Sequence, residues 1–338
     1  MPSKQHMEVD GFFHRLYKNA QLMQELVFEK DISFSPTTFN VLGIPLSITE
    51  STKSHTPQVV VNEINHGEYH LAEIQRLNLL PPGSVVLDLG TNIGITAILI
   101  AKMFPGVRII GVEAMPPNFA CALENIKHNG VADRITVLNG AMSSNTLAPV
   151  NMTYSGPNSG GSSFATEMMD GGYTHEFTIQ PITIEEIVHH FGVTHVSFVK
   201  LDCEGCEFDI VPSFSPKLVD LFMDAIVMGE LHSFRISATP NRVNYVKAFF
   251  DSYENLNDGK PWNPNVKKTR PAPFVEDLQV KDGDLVKGKS ASVFLVENGK
   301  RREFQSKDAF VRRGYDFSNI KTWDTFSLLR YPLGEPLV

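Results

Sequence analysis

Four stretches of this chain carry residue types that could bind a charged ligand and move a proton. The first is Val85-Val86-Leu87-Asp88-Leu89-Gly90-Thr91-Asn92-Ile93-Gly94. An apolar run that ends in an acid reads as a buried parallel strand. Gly90 and Gly94 then permit a tight turn and close backbone approach before an apolar helix. Such a turn delivers a ligand to a helix N-terminus. The spacing is D-x-G-x-N-x-G, without the third glycine of the dinucleotide fingerprint. An acid at that strand end repels a pyrophosphate and suits a ligand with amino and sulfonium cations. The pattern therefore favours S-adenosylmethionine over NAD. Glu113 ends the second apolar run, about 20 residues on, where a carboxylate can accept ribose hydroxyls.

The second stretch is Lys200-Leu201-Asp202-Cys203-Glu204-Gly205-Cys206-Glu207, the third Met228-Gly229-Glu230-Leu231-His232. Both follow apolar runs, and ligands of open α/β sheets bind beyond such strand ends. Methyl transfer to a hydroxyl requires in-line positioning and loss of the hydroxyl proton. His232 is the first choice of base and Asp202 the second; Glu230 positions the acceptor or His232. A lone acid after a strand is otherwise a helix cap, the reading that suits Glu207. Asp202, Glu204 and Glu230 would also form an oxygen-rich site for a hard cation, but no metal is assigned. Cys203 and Cys206 form a C-x-x-C. With only Cys121 besides, a thiolate metal set is incomplete, and packing is expected over redox chemistry. The fourth stretch, Asn139-Gly140-Ala141, ends the third strand, where adenine would lie; Ala114, after Glu113, and Asp202 join the cofactor set.

The elements that must position these residues alternate. Strands are expected at 85–89, 108–113, 134–139, 196–201 and 225–231, with helices at 93–104, 117–129 and 241–250. Alternation of this kind predicts a mostly parallel, doubly wound Rossmann-like α/β sheet. Before it, the spacing predicts an amphipathic helix over 9–30, a strand near 41–48 and a helix over 66–79. Within it, 151–172 reads as a Gly/Ser-rich loop that closes as a lid, 176–180 as an edge strand and 181–191 as a helix. Asn298-Gly299 between β-favouring runs predicts a hairpin. The division is an N-terminal extension (1–59), a catalytic domain (60–250), a Pro-rich linker (251–275) and a small module (276–338).

Composition bounds the classes. The chain has 338 residues, 42% hydrophobic, with a net charge of −8. That charge argues against broad nucleic-acid binding, which rests on phosphate contacts. The sequence holds no long apolar span, and its polar first ten residues do not resemble a signal peptide. Three cysteines make no disulfide framework. A cytoplasmic protein without a membrane role is expected, with the N-terminal helix packing on the domain or on a homodimer mate.

The motifs, in this order, resemble the FkbM family of S-adenosylmethionine-dependent class I methyltransferases. The likeness runs over about residues 60–235: Val86 to Gly94, Val112-Glu113-Ala114 with Pro117-Asn118, Leu138 to Ala141, Asn158 to Ser163, Val199 to Glu207, and Gly229 to His232. It implies a Rossmann-like fold and O-methylation of a sugar or small-molecule hydroxyl. It also implies a cofactor site lined by Asp88, Gly90, Asn92, Gly94, Glu113 and Asn139. The chain departs from the family at Cys203 and Cys206, where small apolar residues are usual, and at Thr91, where Ala is. The stretch from Asp282 to Leu337 looks similar to a short repeat appended to various enzymes and surface proteins. Three other readings remain: N-methylation of a peptide or protein, a nicotinamide oxidoreductase, and a binding protein with a vestigial pocket.

Overall fold

The computed structural model describes residues 36–50, 54–155, 174–232, 239–252, 274, 280–287, 292–322 and 331–338. The expected helix over 9–30, the lid beyond residue 155 and most of the Pro-rich linker lie outside them.

The strand expected near 41–48 is the second arm of a hairpin, β1 (Thr37–Val41) and β2 (Ile44–Ile48), turned by Leu42 and Gly43 at φ 50° and 81°. Next comes α1 (Thr56–Asn65), whose start lies in the Ser/Thr/Pro-rich stretch 31–60 and was concealed by it. Its Pro57 lies in the first turn, where a missing N–H costs no hydrogen bond. The helix expected over 66–79 shortens to α2 (Leu71–Arg76), entered through His70 at φ 46°.

The alternating region follows its pattern: β3 (Val85–Leu89), α3 (Ile95–Met103), β4 (Arg108–Glu113), α4 (Pro116–His128) and β5 (Ile135–Asn139). Pro105-Gly106 stops α3, and Gly130 at φ 68° follows the end of α4, the left-handed exit that suits glycine. β6 (Ala141–Met142), β7 (Val150–Ser155), β8 (Thr174–Ile179) and β9 (Pro181–Ile182) interrupt it. β7 and β8 pair antiparallel, so the expected loop begins as a strand. The expected helix over 181–191 also starts late. Pro181 and Ile182 pair with β6, and α5 (Ile184–His190) begins after a Thr183–Glu186 capping box, the reciprocal bond pattern that fixes a helix start. Then come β10 (Phe198–Leu201), α6 (Glu207–Ile210), α7 (Pro216–Phe222), β11 (Ile226–Gly229) and α8 (Pro240–Ser252).

The central sheet runs β11-β10-β3-β4-β5, every pairing parallel. Two apolar cores cover its faces. One takes the hairpin, α1, α2 and α3; the other takes α5 to α8. α3 is buried at every position but Lys102, as expected for a helix apolar all round. Asn125 of α4 ties the hairpin down: it accepts from Thr49 N–H at 2.6 Å and donates to the Thr49 and Ile93 carbonyls at 3.0 and 2.9 Å. The division expected at 59/60 therefore runs through α1, which shares this core.

The order in which strands are added reverses between β3 and β10, since β4 and β5 lie on one side of β3, and β10 and β11 on the other. That is the switch point at which such sheets open a crevice.

The C-terminal strands β12 (Leu285–Lys287), β13 (Val293–Glu297), β14 (Lys300–Glu303) and β15 (Ile320–Thr322) form their own sheet, ordered β14-β13-β12-β15. The hairpin turn is Asn298-Gly299, at φ 52° and 68°, as its sequence predicts. α9 (Lys307–Arg312) packs Phe310 against Phe304 and Leu295. None of these strands extends the central sheet.

Candidate active site

A cavity of about 450 Å³ opens at the C-terminal ends of β3, β4 and β10, within the usual range for small-molecule sites. Its walls come from α1 (His55, Val59, Glu63), the β3–α3 turn (Gly90 to Ile93), the β4 end (Glu113 to Met115), Gly140 to Ser143, and the β10 and β11 ends (Asp202 to Glu204, Glu230).

The β3–α3 turn is built by positive φ values: Gly90 at 89°, Asn92 at 53° and Gly94 at 88°. A Cβ on Gly90 would collide with the Asp202 carbonyl, so the glycine lets the loops after β3 and β10 touch. Asn92 N–H donates to Glu113 Oε2 at 2.7 Å, and Met115 N–H to Glu113 Oε1 at 2.8 Å. Asn118 Nδ2 adds a longer bond to Oε1, 3.3 Å. Burial nevertheless pushes the Glu113 carboxyl up to about 7, against these donors. A carboxylate has about four acceptor positions, so Glu113 can take a ribose hydroxyl on Oε2 and a second by exchanging Asn118. It holds the turn and faces the cavity together.

Asp88 is placed otherwise than the sequence suggests. It is buried beneath the cavity wall, directly opposite Lys200 on the neighbouring strand. Lys200 Nζ lies 3.7 Å from Asp88 Oδ1 and 3.1 Å from Asp202 Oδ2, and donates to the Gly90 carbonyl at 2.9 Å. Burial raises the Asp88 carboxyl to about 6, with Lys200 opposing. Burial disfavours the Lys200 charge, but Asp202 and Asp88 outweigh it and its pKa rises. Asp88 therefore holds Lys200 at the floor of the cavity, and Lys200 holds Asp202 on its wall.

Of the remaining cofactor candidates, Gly90, Asn92, Glu113, Ala114, Gly140, Ala141 and Asp202 line the cavity, whereas Gly94 and Asn139 do not. Asn139 is a clamp behind it, donating to the Glu113 and Ala114 carbonyls at 2.9 and 3.0 Å. Gly140 lines the wall, but its missing side chain chiefly makes room for Ile182.

The candidates for the acceptor side also divide. Asp202 and Glu230 line the cavity; His232 is buried behind them. Its Nδ1 faces Glu207 Oε1 at 3.5 Å, while Nε2 lies 3.4 Å from Glu204, 3.7 Å from Glu230 and 3.9 Å from Asp202. Burial opposes the imidazolium, but Glu207, then Glu204 and Asp202, outweigh it and lift the pKa to about 9. A ring already protonated at neutral pH cannot accept a proton, so His232 does not fit the role of free base.

Cys203 and Cys206 are joined as a disulfide, with Cα atoms 5.5 Å apart; this corrects the expectation of reduced, packed thiols. Glu204 and Gly205 at φ 58° and 113° fold the chain back so that residues three apart can bond.

Sequence reasoning missed three residues at or under the cavity: Glu63, Tyr69 and Lys200. Glu63 comes from the concealed helix α1. Burial, then the charges of Glu68, Glu230 and Asp202, raise its carboxyl to about 7. Lys200 was readable only as one residue of a buried strand.

Residues 88–255 match the model of the Methyltransferase FkbM domain. Among similar proteins, an O-methyltransferase, imqG, of Aspergillus flavus is 47% identical over 55 residues, 16% of this chain and 22% of that protein. A ribosomal protein L11 methyltransferase of Chloroflexus aurantiacus is 40% identical over 73 residues, 22% and 21% of the two chains. The chain thus spans about a fifth of the length of these relatives. A solved SAM-dependent methyltransferase from Geobacter sulfurreducens, in complex with S-adenosyl-L-homocysteine, is 29% identical. That alignment covers 23% of this chain and 31% of that one, at a TM-score of 0.21. The chain carries an S-adenosylmethionine-dependent methyltransferase domain of the FkbM family.

Proposed function

We propose that the protein transfers a methyl group from S-adenosylmethionine to a hydroxyl of a small-molecule or glycosidic acceptor. The cavity suits such a cofactor: Glu113, Asp202, Glu204, Glu230 and Glu63 border it against one ammonium, Lys200, and a negative cleft favours a cationic ligand. Glu113 and Asn92 would hold the ribose. Met115, Met142 and Met152 offer the apolar wall that adenine requires. When bound, the cofactor supplies an electrophilic methyl on a sulfonium.

The chain's own part is to bind, orient and deprotonate. Asp202 is fixed by Lys200 through Oδ2, which leaves Oδ1 turned toward His232. The acceptor oxygen forms its bond to the methyl carbon as the carbon–sulfur bond breaks, and its proton passes to a carboxylate.

The observation that carries the O-methylation reading is Glu63, a carboxyl on the cavity wall with a pKa raised to about 7. A general base works best with a pKa near the operating pH. Glu63 replaces His232 in that role, and Glu230 remains a positioning group at the mouth.

The test is Glu63→Gln. Calorimetry should show S-adenosylhomocysteine binding unchanged, while turnover of hydroxylated acceptors falls about 100-fold or more. Wild-type activity should rise with pH through about 7, where Glu63 loses its proton, and that limb should vanish in the variant. Binding of NADH in place of S-adenosylhomocysteine would overturn the reading. Nitrogen methylation of a peptide or protein needs no strong base; a mild Glu63→Gln effect would favour it.

A further inference from the structure

We propose that Asp202, Glu230 and His232 form a binding site for one divalent cation, best suited to Mn²⁺, on the acceptor side of the cavity. One donor atom from each of these residues lies within 4.8 Å of the others. Nε2 of His232 stands 3.7 Å from Glu230 Oε2 and 3.9 Å from Asp202 Oδ1, with Glu204 Oε2 at 3.4 Å within reach as a fourth donor. Ligand atoms bound at about 2.1 Å to one cation stand roughly 3.0–3.4 Å apart. Bringing the imidazole and each carboxylate to that spacing therefore needs shifts of a few tenths of an ångström, and the two carboxylates start within 4.8 Å of each other. A single N–H points at one carboxylate at a time, whereas a cation is shared by all of them.

Two further observations mark this as more than a patch of acids. First, His232 is buried, and its other nitrogen faces the fully buried Glu207 carboxylate at 3.5 Å. A carboxylate behind the ring is the usual device that aims a metal-binding imidazole and fixes its tautomer. Glu207 in turn is held in place, accepting from Cys203 N–H at 2.9 Å. Second, Asp202 is divided between two tasks. Oδ2 binds Lys200 at 3.1 Å, and Oδ1 is the atom turned toward His232.

The donor set selects the ion. Carboxylates suit Mg²⁺, Ca²⁺ and Mn²⁺, and imidazole suits later first-row metals; Mn²⁺ accepts both. Asp202 and Glu230 line the cavity while His232 does not, so coordination positions not taken by protein open toward the acceptor. Two neighbouring acceptor oxygens, as in a vicinal diol, would chelate there, and the cation would make the attacking hydroxyl more acidic. That use rests on the methyl-transfer reading; the cation site itself does not.

The test separates the two. Full-length protein stripped with chelator is titrated with MnCl₂, and bound Mn²⁺ is followed by loss of the free-ion electron paramagnetic resonance signal. One Mn²⁺ per chain is expected. Glu230→Gln changes a largely exposed side chain and should leave thermal unfolding unaltered, yet weaken Mn²⁺ binding about 10-fold or more. His232→Asn should abolish it. No stoichiometric binding would overturn the site, as would affinity unchanged in both variants. Displacement of Mn²⁺ by an equal concentration of Mg²⁺ would overturn the assignment of His232 as a ligand. None of these readouts depends on methyl transfer.

Discussion

Lys200→Met probes the charge arrangement under the cavity. The ammonium sits 3.7 Å from Asp88 Oδ1 and 3.1 Å from Asp202 Oδ2. Asp202 is partly exposed and can recover water, but Asp88 is sealed between strands. Breaking a buried pair by removing one partner costs about 3–5 kcal/mol. For a domain of this size that is a fall in melting temperature of about 6–20 °C. Asp88 can escape by taking a proton. Its folded-state pKa of about 6 already exceeds the ordinary value of 3.8, and loss of Lys200 pushes it higher. A carboxyl raised in this way binds more protons folded than unfolded, so its penalty is complete above the folded pKa and fades as pH falls. The Lys200→Met deficit should thus be largest near pH 8 and shrink below about pH 6. Adding Asp88→Asn should restore about 2 kcal/mol or more at the higher pH, because the orphaned charge is gone. Urea denaturation followed by circular dichroism at both pH values measures wild type, Lys200→Met and the double variant. A Lys200→Met protein within about 1 kcal/mol of wild type near pH 8, or a double variant with no recovery, would refute the reasoning.

Two further outcomes follow from the cavity. Gly90→Ala would force a side chain into φ +89° and against the Asp202 carbonyl, costing about 3 kcal/mol or more; an unchanged denaturation midpoint would contradict the close approach of the two loops. Glu113→Gln should weaken S-adenosylhomocysteine binding about 10-fold or more, since bonds to a charged acceptor contribute about 1.5–3 kcal/mol. Calorimetry reads the change, and an unaltered dissociation constant would mean that the ribose is held elsewhere.

Much of the fold was legible because its signals are local. Apolar runs ended by acids or glycines mark β3, β4, β5 and β10, and Pro105-Gly106 and Asn129-Gly130 mark where helices stop. Asn298-Gly299 carries its turn geometry in its own backbone preferences. The misses arose where tertiary pairing overrode local pattern. Pro181 and Ile182 join β6 instead of starting a helix. The helix α1 escaped because Ser, Thr and Pro at its start read as a loop.

The site divides along the same line. Sequence alone determined that Asp88, Glu113, Asp202, Glu230 and His232 gather at the ends of parallel strands, because each follows a run that can only be a buried strand. Only the tertiary structure decided which of them meet the cavity. Register sets Asp88 opposite Lys200 and so buries it. The β11 end turns His232 inward among Glu204, Glu207, Glu230 and Asp202 and removes it from the role of base. Packing of α1 across the sheet brings in Glu63, distant in sequence from every motif. Whether a carboxyl or imidazole carries its proton depends on desolvation and neighbouring charge, and neither exists until the chain has folded.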